Sequence, residues 1–489
     1  MLFNSHIFML LFLPLLLAGW YFLNWKKKFQ LAQGYLIGMS LWFYAYANLQ
    51  YLWLLLFSCL IGWLLSCLPE KISLEKGKKV LTGVGCVFHL GLLGYFKYSN
   101  FFLENLNTAF HTDFPMLQIL LPVGISFYTF QQLAYLIDRC RKDAPRDSFF
   151  DYLTFMVYFP QLLQGPILLR SEFMEQLKEP ERRRFHAERF SEGIQFFVFG
   201  LAKKVLLADT LAKAVNYGYS NVSMLDSISA LLLAVGYLTE LYFDFSGYCD
   251  MAVGLGKMIG LEVAENFDAP FHSASVKEFW RRWHMTLGRF FTRYVYIPLG
   301  GNRRGKMRTL CNVMIVMLLS GLWHGAAWTF VLWGFLHGVG MIWDNLEHPH
   351  LPKKWMRQAA TFAYVCMTFV FFRAESIAQG ADVLKSIVSL KWNGFVFQMA
   401  SALDMTEFYM ITKALSMKLP GLLSWFWLGI FVVLIAICFR VLSGEKVSGV
   451  VALQRQKGYG RLYPVLLAVL FTWSMISMTG VSEYLYFSF

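Results

Sequence analysis

The sequence predicts an all-α, polytopic membrane protein with about 10–12 transmembrane helices plus re-entrant segments. Three observations lead there. Of the 489 residues, 57% are hydrophobic and only 15% charged, against about 25% charged in average soluble domains. Mean hydropathy is +0.47. Apolar runs approaching the ~20 residues that cross a bilayer recur along the whole chain. This composition excludes a disordered chain, a disulfide scaffold and an ordinary soluble enzyme.

The candidate spans are 7–25, 34–49, 50–68, 80–96, 116–137, 149–169, 191–208, 227–243, 244–261, 309–343, 358–372, 425–439 and 462–480. Several are too short or too polar for a simple crossing. The first, in MLFNSHIFMLLFLPLLLAGWYFLNWKKK, lacks a basic start and a small-x-small cleavage site. It reads as a membrane helix, not a removed signal peptide.

Charge sets the topology. The net charge of +13 fits Lys and Arg gathered in cytoplasmic loops, not a nucleic-acid partner. Lys26–Lys28, then Lys71, Lys76, Lys78 and Lys79, then Arg139, Arg141, Lys142 and Arg146, then Arg182–Arg184 can all lie on one side. This requires 34–68 and 80–137 to be hairpins, with 97–115 and its single Lys97 outside. The N-terminus is then outside as well. Segment 149–169 has basic flanks at both ends and carries Pro160 and Pro166. A segment that starts and ends on one side is re-entrant, and such backbone survives only inside protein or beside a cavity.

Segment 262–308 is basic, with nine Lys/Arg against four Asp/Glu, and holds the turn GGNRRG. From Thr309 to Trp343 there are 35 residues without an acidic or basic side chain. As helix this is about 52 Å, too short for two full crossings. The run either turns back short or crosses once with a kink at Ser320-Gly321 or Gly325. Segment 373–424, with five Lys/Arg and four Asp/Glu, reads as extracytoplasmic and amphipathic. The eight cysteines are scattered without metal-ligand spacing, so neither a disulfide framework nor a metal site is expected. There is no internal repeat or soluble domain; residues 1–489 read as one membrane domain with a core at about 116–376.

Few residues could carry chemistry. His324, in SGLWHGAAW, is sixteenth in the uncharged run. An ionisable residue at membrane depth is a functional candidate by default, and imidazole suits proton transfer. The alternative is a histidine bonding between helices. His284, in FWRRWHMTL, shares a helical face with Trp280, Trp283 and Leu287. Its alternative is a surface helix with an aromatic belt and snorkelling arginines. Glu240, Asp244 and Asp250 need partners if buried; an arginine of 262–308 or a helix N-terminus would serve. His337, thirteen residues after His324, points elsewhere on a straight helix. His89 reads as structural. No G-x-S-x-G, P-loop, H-E-x-x-H or G-x-G-x-x-G site occurs in a fitting context.

At these residues the chain resembles the membrane-bound O-acyltransferase (MBOAT) family, in its bacterial alginate O-acetyltransferase (AlgI-like) branch. The matching blocks begin with PVGISFYTFQQLAYLIDRCR (122–141), YFPQLLQGPI (158–167) and YFDFSGYCDMAVGLGKMIG (242–260). They continue with ENFDAPFHSASVKEFWRRWHMTLGRFFTRYVYIPLGG (265–301), SGLWHGAAWTFVLWGFLHG (320–338), FVFFRAES (369–376) and EYLYFSF (483–489).

The resemblance implies a helical fold around a central tunnel and transfer of an acyl group from a thioester to a hydroxyl. The family's near-invariant histidine falls on His324, its second residue on His284. Asn266, Trp280, Arg281, Arg282, Asp244, Trp323 and Gln131 are the implied supporting shell. It further implies acetyl-CoA as cytosolic donor with no bound cofactor, arginines of 262–308 drawing its phosphates, and His324 as base or acyl carrier. The acceptor would be an extracytoplasmic polysaccharide, reached through a separate SGNH-type transferase. The location would be the bacterial cytoplasmic membrane, among its lipids. D-alanyl transfer to teichoic acid from a carrier protein (DltB-like) and a transporter or flippase are the alternatives.

Overall fold

The computed structural model describes residues 1–46, 49–68, 74–346, 352–442, 446–458, 460, 462–478 and 484–485. Lys71 and most of the EYLYFSF block lie outside the described residues. The described secondary structure is helical throughout, without strands. Among the described residues, six helices are long and apolar enough to cross a membrane: Phe8–Trp25, Leu49–Cys67, Glu75–Phe110, Ser227–Ile259, Lys306–His324 and Pro420–Leu442. Large apolar side chains such as Leu10, Trp53, Val87 and Ile476 stand exposed. Contiguous exposed apolar faces of this kind suit lipid, not water.

The organising element is the helix Ser227–Ile259. Asp226 caps it, accepting from Ser229 N–H at 2.8 Å, and Gly260 ends it at φ +88°. It merges the two spans expected at 227–243 and 244–261, because nothing inside it breaks the backbone ladder. Most of it is buried, so it is a core helix rather than a lipid-facing one. It packs against Ala187–Ala202 through glycines at matching heights. A Cβ on Gly254 would sit 2.5 Å from Gly193 O, and one on Gly247 would sit 2.7 Å from Gly200 O. Small residues allow such close approach of helix backbones.

Several expectations are corrected. Residues 112–124, taken partly as the start of a span at 116–137, are not helical. Pro115 and Pro122 remove backbone donors. The side chains of Asn100 and Asn107 pair instead with the backbone of Leu117 and Phe114, at 2.8–2.9 Å. The helix proper is Ile125–Arg141, entered through Gly124 at φ +77°. Lys97, assigned to an outside segment, lies within the continuous helical run Glu75–Phe110.

The uncharged run 309–343 does turn back. It forms two helices, Lys306–His324 and Trp328–Asn345, joined at Gly325–Ala327. Gly321 and Gly334 make the hairpin tight: a Cβ on either would meet the facing backbone at 2.3 or 2.5 Å. Segment 149–169 consists of Phe149–Val157, a break at Tyr158, the single turn Phe159–Leu162 and non-helical backbone after it, nearly all buried. Protein surrounds its irregular backbone, as the re-entrant reading requires.

Candidate active site

His324 is the last residue of its helix and is buried. Its ring packs against Trp323, Trp333 and Phe372, with centroids 4.9, 5.1 and 5.1 Å away. A helix C-terminus leaves carbonyls without intrahelical donors. Here Lys97 Nζ donates to Trp323 O at 2.7 Å and His324 O at 2.8 Å, and touches Ser126 Oγ at 3.4 Å. Tyr98 OH donates to Leu322 O at 2.5 Å. A half-buried ammonium at the negative end of a helix dipole is held by that dipole as well as by its bonds.

His284 comes from a break, not from a helical face. Helices Val276–Arg282 and Met285–Phe291 flank it, and His284 itself is left-handed at φ +45°. The single-helix arrangement of Trp280, Trp283, His284 and Leu287 is therefore overturned. The cause is Asn266. Its backbone carbonyl accepts from Met285 N–H at 3.0 Å. Its Oδ1 accepts from Thr286 N–H at 3.1 Å and Thr286 Oγ1 at 3.0 Å. These bonds pull the chain out of the helical path and offset the strain of a left-handed histidine. Asn266 Oδ1 also lies 3.2 Å from His284 Nδ1. Because that oxygen is already an acceptor, Nδ1 carries the proton and Nε2 the lone pair.

Trp323 joins the two histidines. Its ring lies 4.9 Å from that of His324 and 6.0 Å from that of His284. Phe127 and Phe130 hold Trp323 from the next helix, at 5.2 and 5.4 Å. Gln131 is buried on that helix but bonds to neither histidine.

His337 does not point away. The chain reverses at Gly325–Ala327, so His324 and His337 do not share one straight helix. His337 packs on Trp333 at 4.8 Å, the same ring that faces His324. Trp280 Nε1 donates to His337 Nδ1 at 3.2 Å. Thr368 Oγ1, whose proton goes to Val365 O at 2.8 Å, accepts from Nε2 at 2.9 Å. Both nitrogens are thus engaged with the ring neutral, which suits a positioning part more than a proton carrier.

The remaining shell residues separate. Arg282 is committed to Glu278 at 3.0 Å and Asp268 at 3.8 Å. Burial opposes ionisation of Glu278, but the Ala274 N–H and the Arg282 guanidinium outweigh it and hold the carboxyl below its ordinary value. Arg281 is exposed. With Lys277 and Arg289 it lines a cavity of about 440 Å³ that reaches Met317 and Ser320, one turn before His324. Asp244 is elsewhere. It pairs with Lys204 at 2.6 Å, and Asp250 pairs with Lys203 at 2.6 Å. The partners of these carboxylates are therefore lysines of the π-helical turn Lys203–Ala208, not arginines of 262–308.

Asp244 and Glu240 line a second cavity of about 720 Å³, walled by Ala327, Phe330 and Phe372. His324 lines neither space: the basic one reaches Ser320 on its own helix, the carboxyl-lined one reaches Phe372, whose ring packs on it, and His324 itself lines a small cavity of about 50 Å³ with Lys97, Ser126 and Trp323. Among the described residues no group of three or more His, Cys, Asp or Glu could hold a metal ion, and all eight cysteines are free.

Sequence reasoning missed Lys97, His337 and Phe372 as parts of this site. For Lys97 the signal was present: a single charge in a long apolar stretch deserves a functional reading. His337 carries the same mark as His324, an ionisable ring in the same uncharged run, but only the hairpin brings it and Phe372 toward that histidine.

The family model described as "MBOAT, membrane-bound O-acyltransferase family" matches residues 145–378, a span that contains both histidines. The chain is 35% identical over 423 residues to a peptidoglycan O-acetyltransferase of Helicobacter pylori, covering 80% of each chain. It is 40% identical over 389 residues to a probable alginate O-acetylase AlgI of Azotobacter vinelandii, covering 77% of this chain and 76% of that one. A teichoic acid D-alanyltransferase of Streptococcus thermophilus is 28% identical over 253 residues, covering 49% of this chain and 58% of that one. The chain belongs to the membrane-bound O-acyltransferase family and is a multi-pass membrane acyltransferase.

Proposed function

We propose that this enzyme takes an acetyl group from cytosolic acetyl-CoA and delivers it to a hydroxyl destined for an extracytoplasmic polysaccharide. One observation carries the reading: a basic cavity reaches Ser320, one turn before His324, and a carboxyl-lined cavity reaches Phe372, whose ring packs on His324 at 5.1 Å. Phosphates of the donor suit Lys277 and Arg281, whose exposed guanidinium can make a bidentate contact; Arg289 is held by Glu172 and the Ile167 carbonyl. A neutral acceptor suits the other side. The names of the relatives, a peptidoglycan O-acetyltransferase and alginate O-acetylases, support a glycan as final acceptor.

In the chemical step the acceptor oxygen attacks the thioester carbonyl while His324 takes its proton. The tetrahedral adduct collapses, the carbon–sulfur bond breaks, and the imidazolium returns the proton to the departing thiolate. A base within hydrogen-bond reach contributes about 10²–10⁴-fold, and alignment of donor and acceptor contributes more. His284 Nε2, fixed by Asn266, orients the donor. A separate SGNH-type protein completes transfer to the polysaccharide, and the bacterial cytoplasmic membrane is the location.

The deciding experiment follows radiolabel from acetyl-CoA with purified protein. Label should reach a hydroxyl acceptor with the unaltered enzyme and not with His324→Ala. Equal transfer by both would remove His324 from the chemistry. Transfer of D-alanine from a carrier protein, with none from acetyl-CoA, would favour the teichoic-acid reading. Substrate flux into liposomes without thioester cleavage would favour a transporter.

A further inference from the structure

The cavity beyond Phe372 holds an unusual set of groups. Four carboxyl-bearing residues line it, Asp209, Glu240, Asp244 and Glu375, against two cations, Lys204 and Arg373. The cations are engaged within the protein. Lys204 lies 2.6 Å from Asp244 and 2.8 Å from Asp209. Arg373 donates to Asn216 Oδ1 at 3.0 Å and stands 5.0 Å over the Tyr219 ring.

Glu240 is the exception. It is 1% exposed, and its Oε2 has no hydrogen-bond partner among the described residues. A buried polar atom left without a partner costs about 1–3 kcal/mol. Such a cost is retained where a ligand supplies the missing bond. A carboxyl oxygen accepts a hydrogen bond and, when protonated, also donates one, so a ligand that carries hydroxyls, which do both, matches it. The surplus of carboxyls repels anions by the same Coulombic rule that pairs opposite charges. Phe330 and Phe372 supply flat apolar walls, and the volume is within the ~300–1,000 Å³ range of small-molecule sites.

We propose that this cavity binds an uncharged, hydroxyl-rich sugar, with Glu240 accepting a hydrogen bond from one of its hydroxyls. The aromatic walls take the C–H face of the sugar ring, and the Phe372 wall is the one that packs on His324. This rests on the acyl-transfer reading only for the sugar's role as acceptor. It departs from the anionic glycan implied by the name of the alginate-modifying relatives.

The test is binding without any donor, by calorimetry on the full-length protein in lipid nanodiscs. Cellotetraose is the neutral probe and tetramannuronate the anionic one. Cellotetraose should bind, with tetramannuronate at least tenfold weaker; this comparison uses only the unaltered protein. Glu240→Leu should weaken cellotetraose at least tenfold, and Glu240→Gln, which keeps an acceptor oxygen, should weaken it less. Equal affinity for the two probes would overturn the proposal, as would unaltered cellotetraose affinity in both variants. So would a serine-containing peptide binding where neither sugar does. Acetyl transfer is measured separately on the same preparation. Cellotetraose bound as expected but never acetylated would support the site and count against the transfer reading.

Discussion

Lys97 Nζ sits 2.8 Å from the backbone carbonyl of His324, so an ammonium on one membrane-spanning helix terminates the helix that ends in the candidate base. The same nitrogen takes the carbonyl of Trp323 at 2.7 Å. The position of His324 therefore depends on a residue 227 positions away in sequence. Lys97→Met should leave both carbonyls unpaired. A loss of about 1–3 kcal/mol in stability is expected, read as a lower Tm in detergent, together with lower turnover. Lys97→Arg should restore part of each. Unaltered Tm and turnover in Lys97→Met would show that the cap is dispensable.

His324→Gln preserves shape but cannot take a proton at neutral pH. Turnover should drop about 10²–10⁴-fold while CoA affinity is retained. A rate change below threefold would exclude general-base catalysis by this residue.

Asn266→Ala removes the acceptor that holds His284 Nδ1 and the Thr286 N–H. Two buried donors are then left open, at about 1–3 kcal/mol each. The variant should lose stability and activity together, and Asn266→Asp, which keeps the acceptor, should be milder. Circular dichroism melts and acetyl-transfer rates on both variants give the comparison.

Arg281 and Arg282 are neighbours with different expected phenotypes. Arg282 is bound to Glu278 and Asp268, whereas Arg281 lines the basic cavity. Arg281→Gln should raise the KM for acetyl-CoA several-fold, most strongly at low salt, where a charge is least screened. Arg282→Gln should act on stability. A donor KM equal in both variants at low salt would remove Arg281 from donor binding.

The Asp226 cap makes stability pH-dependent. Burial opposes its ionisation, but hydrogen bonds from Ser229, Asn393 and Gly394 outweigh that and hold its pKa below the ordinary 3.8. A depressed carboxylate contributes stability above its unfolded pKa, and the contribution is lost as pH falls through the folded value. Thermal stability should therefore decline below about pH 4. In Asp226→Asn the decline should be shallower and the starting stability lower. Parallel Tm profiles would show that other carboxylates dominate.

Much of this was legible from the chain alone. The uncharged run around His324, the low charge content and the proline-bearing FPQLLQGPI segment state a buried helical core by composition and spacing. Those properties are local, and the cost of burying charge or free backbone in lipid makes them hard to disguise. The family blocks carried His324 and His284 directly.

What the sequence determined by itself was a helical membrane protein with an ionisable group inside it. Only the tertiary structure decided how that group is surrounded. The reversal at Gly325–Ala327 brought Trp333 and Phe372 onto His324, and Asn266 broke a helix that periodicity reads as continuous. Lys203 and Lys204, not arginines, took the buried carboxylates. Each outcome depends on groups far apart in sequence competing for the same few buried hydrogen bonds. Periodicity records which face of a segment is apolar; it does not record which distant donor satisfies its end.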